Sequence, residues 1–140
     1  MTYAVKQDMI DRFSEVELMQ LTDRTGAVDA IDDTVLGKAL ADADAEIDGY
    51  VMGRYALPLP STPKILVGMA CDITRYRLYE DRATEHVRAR YDDAIKYLKE
   101  VALGRISLGL DAANQPTAEA GGPKAEGEER VFTRSALADY

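Results

Sequence analysis

The side chains able to do chemistry are few and far apart. His86 is the single histidine and Cys71 the single cysteine in 140 residues, too few for a Cys/His zinc cluster or an internal disulfide. A catalytic nucleophile needs a base within hydrogen-bond reach. His86 stands between Glu85 and Arg88 near the start of a helical pattern, with no serine or cysteine tied to it by sequence, and its expected place is the surface. Cys71 lies in an apolar run, where a buried thiol packs as a small hydrophobe and no local motif lowers its pKa. The stretch 23–33 has the carboxylate density of a calcium loop, but Ala27 takes the fifth-position ligand's place and Val28 that of the turn glycine. No set of nucleophile, base and metal ligands emerges, so the expectation is a chain without enzymatic activity, metal or cofactor.

The remaining chemistry is that of recognition. Arg75, Arg77, Arg82, Arg88 and Arg90 interleave with Tyr76, Tyr79 and Tyr91, a mixture that suits base stacking and phosphate contact. Glu80, Asp81, Glu85, Asp92 and Asp93 lie among them, which favours ion pairs within a bundle or across a subunit boundary. Tyr and Arg are also the residues enriched at protein interfaces. Arg75, Arg77, Tyr79, Arg88, Arg90 and Tyr91 are therefore the expected subunit-interface residues. A net charge of −8 opposes a protein that grips nucleic acid by its phosphates.

The charge is unevenly placed: residues 1–50 carry 12 acidic and 4 basic side chains, whereas residues 75–105 carry 8 basic and 6 acidic ones. Solvated helix faces account for this simply. In a ring of subunits, the acidic half would instead line a channel whose negative wall keeps passing DNA from sticking.

The elements that must position these side chains read as helices. Met9, Ile10 and Phe13 start a helical pattern, and Ser14, three before Glu17, reads as a capping box opening a second short helix. Together they predict a bent, two-part N-terminal arm. A polar loop over 22–33 follows, with Asp32 or Asp33 as N-cap of a long helix. In that helix Leu36, Leu40, Ala43, Ile47 and Tyr50 form one stripe, and Lys38, Asp42 and Glu46 are placed on the opposite face. Gly49 and Gly53 would each weaken the helix by about 1 kcal/mol relative to alanine, which predicts a close-packed neighbour there.

Pro58, Pro60 and Pro63 forbid continuation and make a stiff loop. From Pro63, Ile65, Leu66, Met69, Ala70 and Ile73 spread around a helix that belongs in the middle of the bundle. A last long helix runs over about 84–103, with Val87, Tyr91, Ala94, Leu98 and Val101 in register and Gly104 as its C-cap. With no sustained period-two alternation, the fold class is all-α: a bundle of three main helices, a two-part helical arm and an extended C-terminal tail.

Three segments follow from composition. Residues 1–110 hold the helical domain. Residues 111–130 contain no Val, Ile, Leu, Met, Phe, Tyr, Trp or Cys, the make-up of a flexible linker. Residues 131–140 regain apolar side chains and predict a short docking segment, anchored by Val131, Phe132, Leu137 and Tyr140 with Arg130 and Arg134 meeting carboxylates. No run approaches the roughly 18–20 apolar residues that cross a bilayer, and residues 1–11 lack a signal-peptide pattern, so no membrane role is expected.

Several motifs in order carry a resemblance. They are Asp8-Met9-Ile10-Asp11-Arg12-Phe13, Leu21-Thr22-Asp23, the run ADADAEIDGYVMGRYALPLP over 41–60, ACDITRYRLY over 70–79, and RYDDAIKYL over 90–98. In spacing and sequence the chain resembles the small proteins that Mu-like phages and prophages encode among their head genes. The resemblance implies a structural protein of the virion neck, a head completion or head-to-tail connector protein of adaptor type, assembled in the host cytoplasm. It implies as partners the portal protein, neighbouring copies in a dodecameric ring, and the next connector or stopper protein, with DNA passing through unbound. The alternative left open is a DNA-binding or packaging accessory protein.

Overall fold

The computed structural model describes residues 1–26 and 29–110; the linker at 111–130 and the docking segment at 131–140 lie outside the described residues, as do Ala27 and Val28. Among the described residues five α-helices follow one another: α1 (Lys6–Phe13), α2 (Glu15–Thr22), α3 (Asp33–Val51), α4 (Lys64–Tyr79) and α5 (Glu85–Ala102), with a 3₁₀ turn at Glu80–Arg82. No strand occurs among the described residues, and the fold is all-α as expected.

The helices begin and end on chemistry visible in the sequence. Asp32 caps α3 by accepting from the Thr34 and Val35 amides at 3.0 and 3.3 Å, and Thr84 caps α5 by accepting from the Val87 amide. Gly104 closes α5 at φ +79°, in the left-handed region that favours glycine, and a Cβ there would stand 2.7 Å from the Arg54 guanidinium, which would have to move aside. Between α1 and α2, Ser14 adopts φ 94° and bends the arm, and its hydroxyl accepts from the Glu17 amide at 3.3 Å. Only this half of the expected capping box is recorded, because the Glu17 carboxylate is directed to Arg75 instead.

Helix α4 is the axis of the bundle, touching α1, α2, α3 and α5. It buries Leu66, Met69, Ala70, Cys71, Ile73, Thr74 and Leu78 around its circumference. Helices α3 and α5 contribute the facing stripes: Leu36, Ala39, Ala43, Ile47 and Val51 from α3, and Val87, Ala94, Leu98 and Val101 from α5. Burying each Leu, Ile or Val stabilises the fold by about 1.5–3 kcal/mol, so these stripes hold the three long helices together. The two buried threonine hydroxyls among the described residues donate within their own helices, Thr22 to the Leu18 carbonyl and Thr74 to the Ala70 carbonyl, at 2.8 and 2.7 Å.

Three details differ from the sequence reading. No crossing helix packs at Gly49 or Gly53; a Cβ on either would meet open space, and α3 ends at Val51, before Gly53. Glu46 is not on the outer face but at the α3–α4–α5 seam, since its position beside Ile47 lets a long side chain reach inward. Ile65 faces out and is 47% exposed, because the first turn of α4 has no helix over that side. The first residues, for which the sequence offers no helical pattern, are anchored: Tyr3 and Ala4 are buried, the Tyr3 amide donates to Asp44 at 2.9 Å and the Tyr3 hydroxyl to Asp48. The proline loop is fastened as well, through buried Tyr55 and Leu59 and through the Leu108 amide, which donates to the Tyr55 hydroxyl at 3.0 Å.

Candidate functional site

The arginines and tyrosines of α4 and α5 are organised around two carboxylates. Glu17, from α2, accepts from Arg75 Nε and Nη2 at 2.7 and 3.1 Å and from the Tyr79 hydroxyl at 3.5 Å. The Arg75 guanidinium also lies 4.4 Å from the Phe13 ring centroid, a cation–π contact that ties α1 to the same point. Glu46, from α3, accepts from Arg77 at 2.7 Å and from the Tyr91 hydroxyl at 2.8 Å. Tyr91 in turn stacks on Tyr76, centroids 4.1 Å apart, with the Arg88 guanidinium 5.9 Å from the Tyr76 ring. Arg90 binds Asp72 through two hydrogen bonds at 2.9 and 3.3 Å.

The six expected interface residues are thus not one patch. Arg75 and Tyr79 face α2, Arg77 and Tyr91 face α3, Arg90 grips α4, and Arg88 covers a tyrosine. All have contacts inside the bundle. Arg77 and Arg90 keep 38% and 47% of their side chains exposed, so they also present charge outward, whereas Arg75 keeps 15%. The expected docking residues Arg130, Val131, Phe132, Arg134, Leu137 and Tyr140 lie outside the described residues.

Proton affinities follow burial. Desolvation, then the hydrogen bond and charge of Glu46, push the Tyr91 phenol up to about 12. Burial likewise pushes the Cys71 thiol up to about 12, so it is a protonated core residue at neutral pH. Asp44 is raised by burial despite the Tyr3 amide it accepts, and Tyr3 is raised by burial and by Asp48. His86 is exposed near the start of α5. Among the described residues, no group of three or more His, Cys, Asp or Glu side chains could hold a metal ion, and no helix is long and apolar enough to cross a membrane.

Among the described residues, an open groove of about 500 Å³ lies where α1 ends against α4 and α5. Its floor is Gly68, Met69, Ala94 and Tyr97, its mouth Ile65, and its rim Arg12, Lys64, Asp72, Arg90 and Asp93. At Gly68 the Arg12 guanidinium packs over the backbone, 3.6 Å from where a Cβ would stand, an ordinary van der Waals distance. A smaller depression next to it is lined by Arg12, Phe13, Glu17, Arg75, His86 and Arg90. Sequence reasoning missed Glu17, Glu46 and this groove, since pairings across 31 to 62 residues leave no local spacing signal.

Fold and site together define a small helical-bundle protein whose charged and aromatic surface is organised by inter-helix ion pairs. The chain belongs to the bacteriophage Mu Gp36 family, whose model matches residues 3–126. It is 36% identical over 133 residues to the Mu-like prophage FluMu protein gp36 of Haemophilus influenzae, covering 95% of this chain and 94% of that one. It is 35% identical over 119 residues to gene product J of Escherichia phage Mu, covering 85% and 84%.

Proposed function

We propose that this protein is a structural component of a phage neck, an adaptor that forms a homo-oligomeric ring on the portal and joins it to the next connector or stopper layer. Membership of the Mu Gp36 family is the observation that carries this reading. The architecture supports it: a bundle with a buried core, fastened loops and charged side chains clamped by Glu17 and Glu46 is a rigid building block. In the ring, the partly exposed Arg77 and Arg90 meet carboxylates of neighbouring copies, the C-terminal segment reaches a neighbour or the portal, and the acidic first half faces the DNA path. A net charge of −8 keeps DNA unbound as it passes. The protein acts in the virion, without a cofactor and without a reaction of its own.

Loss of this gene product in an otherwise intact phage tests the reading. Heads that fill with DNA yet fail to carry tails are the expected product. Infectious, tailed particles of normal yield would refute it, and heads that fail to fill would favour the DNA-packaging alternative.

A further inference from the structure

We propose that the groove between α1, α4 and α5 is the receptor for residues 131–140 of this protein. The inference rests on the docking part of the function proposed above and assigns it a surface. Three observations converge on this occupant.

The first is apolar match. The groove has an apolar floor and mouth that nothing among the described residues covers: Met69 and Ala94 are buried at its base, Tyr97 is partly buried, and Ile65 is 47% exposed at its entrance. A half-open groove of this kind takes a short segment through a few large side chains in pockets. Phe132, Leu137 and Tyr140 are such side chains, in a stretch separated from the bundle by twenty residues with no large apolar group.

The second is charge. Among the described residues, Arg12 and Lys64 on the rim have no carboxylate within ion-pair distance, and Asp93 has no cation. The segment offers Asp139 to the first two and Arg130 and Arg134 to the third. A rim of both signs suits a segment of both signs. It does not suit a polyanion, since Asp72 already neutralises Arg90 and Asp93 would repel phosphate.

The third is reach. The groove lies along residues 64–72 of α4 and 90–97 of α5, so it ends close to where α5 itself ends. Helix α5, 18 residues long, extends about 27 Å, and the last described residue, Leu110, follows eight residues after it. A twenty-residue spacer spans at most about 70 Å, more than twice that length. The segment therefore reaches the groove of its own copy or of an adjacent one.

Site-specific photocrosslinking in the full-length chain tests this. A benzoyl-phenylalanine replaces Phe132, copies of ordinary and heavy isotopic mass are mixed, and the adducts are mapped by mass spectrometry. Adducts on Met69 or on other residues of 64–72 and 90–97 are expected. Ile65→Asp, at an exposed position that leaves the core intact, should reduce them about ten-fold. Adducts confined to other surfaces, or a yield unchanged by Ile65→Asp, would overturn the assignment. Same-mass or mixed-mass pairs both support it and report which copy supplies the segment. Adducts found solely on portal protein overturn the groove and leave the connector reading standing; groove adducts in a chain that never joins a portal support the groove and count against that reading.

Discussion

At the scale of single residues, two carboxylates do most of the organising. Glu17 and Arg75 keep 23% and 15% of their side chains exposed and share two hydrogen bonds, so their pairing is screened far less than a surface ion pair. Arg75→Ala leaves Glu17 half-buried without its guanidinium and strips a cation from Phe13. It should destabilise the protein by about 2 kcal/mol in urea unfolding; a change within about 0.5 kcal/mol would show the pair to be incidental. Tyr91 predicts a pH dependence. Its folded-state pKa of about 12 lies above the ordinary value of 10.0, so the stability it contributes is fully present below pH 10 and is lost as pH rises from 10 to 12. Tyr91→Phe has no such proton to lose. Unfolding measured at pH 9, 10 and 12 should therefore show a smaller alkaline loss in the variant than in the wild type, and equal losses would contradict the Glu46 geometry.

At the scale of elements, glycines separate two physical situations. Gly104 terminates α5 in the left-handed region with the mobile end of Arg54 over it, so Gly104→Ala carries backbone strain and should cost about 1–2 kcal/mol. Gly49 sits in α3 with open space where its Cβ would be, so Gly49→Ala should stabilise by about 0.5–1 kcal/mol. Melting temperatures of the two variants should move in opposite directions; a destabilised Gly49→Ala would restore the close-packed neighbour that the sequence suggests. The helices themselves were legible because apolar spacing, Asp32, Thr84 and Gly104 all act within one turn of the chain. What was not legible lies across the chain. Tyr3 is buried by Asp44 and Asp48, more than 40 residues away, and Glu46 is drawn inward by partners on α4 and α5. Ile65 shows the converse: an apolar residue in an apolar pattern stays exposed when no element covers its turn.

At the scale of the whole molecule, the candidate site was legible as a set of residue types but not as an arrangement. The arginine and tyrosine positions were apparent from the sequence, while their division between Glu17, Glu46 and Asp72 depends on how α2, α3, α4 and α5 pack. The charge asymmetry persists in the fold, with α4 supplying Arg75 to Glu17 of α2 and Arg77 to Glu46 of α3. Ion pairs between helices therefore join the acidic first half to α4, while, among the described residues, Arg12, Lys64 and Asp93 at the groove stay outside them. The most direct test of the connector reading is the mass of the intact protein by native mass spectrometry, alone and then mixed with the portal protein of its own phage. A fixed, ring-sized number of copies on each portal is the predicted result. A chain that stays apart from the portal and binds duplex DNA at moderate salt would contradict it.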